Sequence, residues 1–155
     1  MAIKSRRIGE QVDRNTLGRI RVLNSGIACK KGDILSVVGT NPSGGHLTVQ
    51  IADADGAGAL KTGAKLVAQH DIAAGKTGIA VSWIIVAYDT SGTGPLGALA
   101  DGDILYLKDG QAAGDTLVAA LPAGGKYQRE VGQVLIGAST SGKLLLSVQF
   151  TAGTI

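Results

Sequence analysis

The sequence predicts an all-β fold: a single compact barrel or sandwich of about nine or ten short strands, preceded by an extended N-terminal arm. Three observations point there. Glycine accounts for 24 of the 155 residues and is spread from end to end, the distribution expected of many tight turns. Apolar residues alternate with a period of two in several short runs, which suits half-buried strands. No stretch of ten residues combines helical spacing with caps; "DGAGALKTGAKL" (55–66) comes nearest, and its three glycines oppose it.

The elements follow in order. Residues 1–15 form a basic arm and residues 16–155 one domain, with no linker to divide the domain further. "GRIRVLN" (18–24) sets Ile20 and Val22 on one side and Arg19, Arg21 and Leu23 on the other. "HLTVQI" (46–51) places Leu47, Val49 and Ile51 inward, with Thr48 and Gln50 outward. The continuous apolar run "AVSWIIVA" (80–87) predicts a strand covered on both faces. "KLLLSVQF" (143–150) puts Leu144, Leu146, Val148 and Phe150 on one face. Between these runs lie "TNPSGG" (40–45), "DADGAG" (53–58), "DTSGTGPLG" (89–97) and "STSG" (139–142), turns in which Gly supplies positive φ and Asp or Asn closes the turn with its side chain.

One string occurs twice. "KKGDILSVVG" (30–39) and "ADGDILYLKDG" (100–110) both pass from a charged turn through Gly-Asp into aliphatics. The reading adopted is a turn in which Asp33 or Asp103 accepts from nearby backbone N–H groups before the strand begins. A catalytic pair of carboxylates would require the two aspartates to be adjacent in space.

The formal charge of +3 is unevenly placed. Residues 1–31 carry eight bases and two acids, a net of +6, and the remaining residues sum to −3. Such an arm seeks an acidic partner or is a solvated tail. The single Cys29 allows neither an intrachain disulfide nor a multi-cysteine metal site, and reads as a small buried apolar residue. "MAIKSRRIGEQ" lacks the apolar core of a signal peptide, and the run Trp83 to Ala87 is too short to span a bilayer, so the expectation is a soluble chain made in the cytoplasm.

Candidate chemistry fails on spacing. "AAGKTG" (73–78) ends like a P-loop, but His70 stands where the first glycine belongs, and the following "GIAVSWIIVAY" is strand-like and offers no helix N-terminus. The triplet therefore reads as a turn into a strand, with Lys76 in solvent. "DADG" opens like a calcium loop, but Ala57 and Ala64 hold two of the ligand positions. His46 and His70 are too few for a metal cluster and read as surface or satisfied polar residues. Glutamate occurs only at Glu10 and Glu130, there is no nucleophile elbow, and aromatics are confined to Trp83, Tyr88, Tyr106, Tyr127 and Phe150. The expectation is no enzyme, no cofactor, no metal and no specific nucleic-acid site, hence a structural or binding protein.

From residue 53 to 150 the order of segments carries a resemblance. "ADAD" (52–55), "DIAAGKTGIAV" (71–81), "YDTSGTGPLGALADGDILYLKDG" (88–110), "REVGQVL" (129–135) and "SGKLLLSVQF" (141–150) form a series. The series resembles the β-rich virion modules of tailed bacteriophages, particularly the small capsid decoration (cement) proteins with a tulip-like β fold. The resemblance implies a virion protein on the capsid exterior, commonly a homotrimer, that reinforces junctions between subunits of the major capsid protein. Lys4, Arg6, Arg7 and Arg14 of the arm are then the candidate capsid contacts. Similar modules occur in tail fibres, so the alternative is a trimeric fibre or receptor-binding module that recognises a host surface glycan. That alternative calls for an exposed aromatic platform, whereas Trp83 lies in the most apolar segment and is expected to be buried.

Overall fold

The computed structural model describes residues 18–41, 44–124, 126 and 128–148. The arm and Phe150 lie outside them. The described residues form ten strands and one helical turn: β1 (Ile20–Asn24), β2 (Ile34–Asn41), β3 (His46–Ile51), α1 (Ala59–Thr62), β4 (Lys65–Ala68), β5 (Thr77–Val81), β6 (Trp83–Tyr88), β7 (Ile104–Leu107), β8 (Leu117–Val118), β9 (Glu130–Ile136) and β10 (Gly142–Ser147). The all-β expectation and the strand number hold. The one helix is the four-residue turn within "DGAGALKTGAKL", too short to bury a residue of its own.

The strands divide into two units. β1-β3-β2-β4-β5 close into a five-stranded barrel, sealed by antiparallel pairing of β1 with β5. The β1–β3 pair is parallel and the remaining barrel pairs are antiparallel. The second unit is an antiparallel sheet in the order β6-β10-β9-β7-β8.

Two cores follow from this division. Val22, Leu35, Val49, Ile51 and Leu66 fill the barrel. Ile34, Val67 and Val81 point outward from the barrel wall and meet Leu105, Leu144 and Leu146 of the second sheet. Consecutive residues of β4 are therefore all buried, as are Ile34, Leu35 and Ser36 of β2, because that wall is covered on both sides. This corrects the reading of "AVSWIIVA". Ser82 interrupts the run as the chain leaves β5 for β6, and β6 lies at the edge of the second sheet with alternate residues exposed.

The twice-used string folds twice into the same turn. Gly32 and Gly102 have φ of 89° and 88°, a left-handed conformation that glycine adopts without strain. Asp33 accepts a hydrogen bond from the Lys30 N–H at 2.7 Å, and Asp103 accepts one from the Ala100 N–H at 2.8 Å. A β-strand then starts at Ile34 and at Ile104. The Gly-Asp reading is borne out at both places.

The environments of the two turns differ. Asp103 is exposed, whereas Asp33 is 2% exposed and also accepts from the Gly114 N–H of the second unit at 2.9 Å. Beside it, Thr116 Oγ1 accepts from the Ile34 N–H at 3.1 Å, and the Gln111 side chain donates to the Ile51 carbonyl at 2.6 Å. These bonds join the barrel to the loop between β7 and β8, satisfying donors and acceptors that the shared core would otherwise strand.

Candidate interaction surface

The proposed capsid contacts Lys4, Arg6, Arg7 and Arg14 lie outside the described residues. The features weighed as catalytic or ligand-binding are occupied by local structure. Gly75 has φ 72° and Lys76 N–H donates to the Ala73 carbonyl, so "AAGKTG" is a turn that delivers the chain into β5, with Lys76 exposed. His70 is exposed and both ring nitrogens are engaged: Nε2 accepts from the Ile79 N–H at 3.0 Å, which leaves Nδ1–H to donate to the Asp71 carbonyl at 2.8 Å. Asp53 accepts from the Asp55 and Gly110 N–H groups, making "DADG" a turn. Among the described residues no group of three or more His, Cys, Asp or Glu could hold a metal ion. Cys29 is buried, as expected, and burial pushes its thiol pKa up. No helix among the described residues is long and apolar enough to cross a membrane.

Two surfaces have the character of binding regions. The first is the end of the barrel where the described chain begins at Gly18. A cavity of about 540 Å³ opens there, walled by apolar side chains that include Ile20, Val37, Leu47 and Trp83. Lys65 also lines it and is only 2% exposed. Its ammonium donates to the carbonyls of Lys61 at 2.9 Å and Gly63 at 2.5 Å, which lets a lysine close the C-terminal end of α1 inside the protein. Burial, reinforced by the charge of Arg129, lowers its pKa to about 8. Sequence patterning gave no sign of this residue, because "GAKLVAQ" alternates too little to say which side Lys65 faces.

The second surface is the outward face of the β6–β10 sheet. Residues paired across neighbouring strands share a face. The registers Ile85↔Leu145, Leu145↔Gln133, Gln133↔Ile104 and Tyr106↔Val118 therefore trace one surface across the sheet. Trp83 is 44% exposed on it, Ile85 50% and Ile136 48%. Leu145, Ile104, Tyr106 and Val118 are half-buried. Trp83 was expected in the core; it is instead partly exposed and borders the barrel-end cavity, while Val86 and Leu146, on the opposite face of the sheet, join the core shared with the barrel.

No family model, curated protein or solved structure matches this chain.

The "DTSG" segment closes the far end of the sheet. Asp89 accepts from the Ser91 N–H at 2.9 Å and the Ser91 hydroxyl at 2.6 Å. These bonds hold the Asp89 pKa below the usual carboxylate range. Thr90 is fully buried, with Oγ1 3.0 Å from the carbonyls of Ile136 and Ser139. The turn that follows β6 is thus tied to the β9–β10 hairpin.

Proposed function

We propose that this chain is a structural protein of a tailed-phage virion, which binds the outer surface of the capsid and stabilises junctions between major capsid protein subunits. The observation that carries the reading is how the resembling segments fold. The "DTSG" turn, the Gly102-Asp103 turn with β7, the "VGQVL" strand β9, and β10 are neighbouring parts of one sheet, cross-tied through Thr90. The three later segments of the series thus share one sheet, while the two earlier ones, residues 52–55 and 71–81, lie at the barrel and include β5.

On this reading the contacts come from the basic arm, with Lys4, Arg6, Arg7 and Arg14, and from the barrel end at Gly18 to which the arm is joined. An arm that adds a strand to a capsid subunit's sheet gains main-chain hydrogen bonds with little demand on sequence. Contacts made only in the assembled shell stabilise that shell by mass action. The reading assigns the chain no reaction and no cofactor. Its test is co-sedimentation with purified heads of the phage that encodes the chain. The full chain should pellet with heads, and a chain lacking residues 1–14 should bind more weakly while unfolding at the same denaturant concentration. Equal occupancy removes the arm's role, and failure of the full chain to bind heads removes the reading.

The exposure of Trp83 favours a second reading, a fibre module that recognises a host surface glycan. An indole beside Ile85 on an open sheet face offers the flat apolar platform on which a sugar ring stacks. Binding on a glycan array that is abolished by Trp83→Ala would establish it; a blank array would exclude it.

A further inference from the structure

We propose that the outward face of the β6–β10 sheet is an interface between two copies of this chain, related by a two-fold axis that sets the strands of one copy antiparallel to those of the other. The inference does not depend on the capsid reading, and it departs from the homotrimer that the resemblance implies.

The argument starts from β6. "WIIVAY" is apolar on both faces, a pattern suited to a strand covered on both sides. Within one copy only one side is covered. Val86 joins the core shared with the barrel, while Ile85 is half exposed and Trp83, at the edge of the barrel-end cavity, nearly so. β10 repeats the arrangement: Leu144 and Leu146 are buried, and Leu145, between them, faces out beside Ile85. The apolar surface runs from Trp83 and Ile85 to Leu145 and resumes beyond the exposed Gln133 at Ile104, Tyr106 and Val118, a grouping that marks a surface another protein covers.

The charges select a second copy as the occupant. Lys143 lies at one end of this face, paired with Ala87 and Ile136, and Glu130 lies toward the other, paired with Tyr106. Both are exposed. A two-fold axis running across the strands brings Lys143 of each copy over the end that carries Glu130 in the other, so a single surface supplies both partners of each ion pair. Such self-complementarity is the signature of an isologous contact. The size is adequate for a modest affinity. Five strands spaced about 4.8 Å apart, of two to seven residues rising about 3.3 Å each, lie within a rectangle of roughly 24 by 23 Å that the short β7 and β8 do not fill. The contact therefore buries at most about 600 Å² per partner, the low end of specific interfaces, and a weak, micromolar equilibrium is the range to search.

Trp83 is the only tryptophan and lies within the proposed contact, so association has its own optical readout. Sedimentation equilibrium and Trp83 emission would be followed on the full chain from about 1 to about 300 µM, a range bracketing micromolar association. The expected result is a monomer–dimer equilibrium with a blue shift of emission as the dimer forms. Ile85→Lys should remain monomeric with unshifted emission throughout. Ile27→Lys, which alters an equally exposed isoleucine on the barrel side, should dimerise like the wild type. Lys143→Glu should weaken association about tenfold, since two ion pairs become two repulsions, and Lys143→Glu with Glu130→Lys should restore it. A monomer at every concentration, a mass of three copies, a dimer that survives Ile85→Lys, or a charge swap that fails to restore association would each overturn the two-fold pairing.

Discussion

The repeated Gly-Asp turn provides its own control for what burial does to a hydrogen bond. Asp33→Ala and Asp103→Ala remove the same carboxylate from the same position of the same turn. At Asp103 the abandoned Ala100 N–H lies on the exposed side of the protein and water replaces the carboxylate, so the cost is about 0.5–1 kcal/mol. At Asp33 two backbone donors, Lys30 N–H and Gly114 N–H, lose their acceptor where the side chain is almost fully enclosed. Lys30 and Gly114 are themselves exposed and their bonds to Asp33 only partly buried, so each abandoned donor costs about 1 kcal/mol or a little more and Asp33→Ala should lose about 2–3 kcal/mol. For a chain of this size that lowers the melting temperature by on the order of 10 °C. Urea unfolding followed by Trp83 fluorescence measures both variants. Equal losses at the two positions would refute the reasoning, because only the environment distinguishes them. Acid adds a second check. Burial raises the Asp33 pKa, so the fold favours its neutral form. That contribution is complete below the unfolded-state pKa and is lost as pH rises through the folded-state value. The stability advantage of wild type over Asp33→Asn should therefore grow as pH falls from neutral into that range.

Three further outcomes follow from the same structure. Lys76→Ala should change stability by less than about 0.5 kcal/mol, with no ATP-dependent shift in melting temperature before or after the substitution. Lys65 has a folded-state pKa of about 8, below its unfolded value; the unfolded chain binds more protons between the two, so stability relative to Lys65→Met should rise with pH across that interval, and denaturant titrations that show a flat or falling difference would contradict it. A Cβ at Gly137 would lie 2.5 Å from the Leu99 carbonyl oxygen and 2.6 Å from the Ala100 carbonyl carbon. Gly137→Ala should therefore cost about 2 kcal/mol or more, whereas Gly39→Ala, with nothing within 4 Å, should stay within about 0.5 kcal/mol in the same unfolding assay.

Much of the local structure is legible in the residues. "HLTVQI" occupies the strand His46–Ile51, with Val49 and Ile51 buried. Both Gly-Asp turns, the "DADG" turn and the entry of "AAGKTG" into β5 follow from backbone preferences that act within a few residues. The candidate surface is less legible. Alternation shows that a strand has two faces but not what covers each, so "AVSWIIVA" looked enclosed. The chain instead changes unit at Ser82 and leaves Trp83 and Ile85 outside. Lys65 was invisible for a related reason: a charged residue can enter a core only where fixed carbonyls receive it, and those belong to α1, whose existence the surrounding glycines obscured.

The class of structure and its punctuation are legible in the residues alone: short strands, glycine turns, aspartate-closed strand starts, and a basic segment ahead of a mildly acidic body. These depend on φ preferences, on reach within a turn and on period-two patterning, all of which are local. The tertiary structure alone decided that ten strands divide into a closed barrel and a second sheet, that Asp33 joins the two while its twin Asp103 does not, and which apolar face remains uncovered. Those outcomes depend on pairings between residues as distant as Asp33 and Gly114. The energy of such a contact comes from excluding water between segments whose meeting no local pattern encodes.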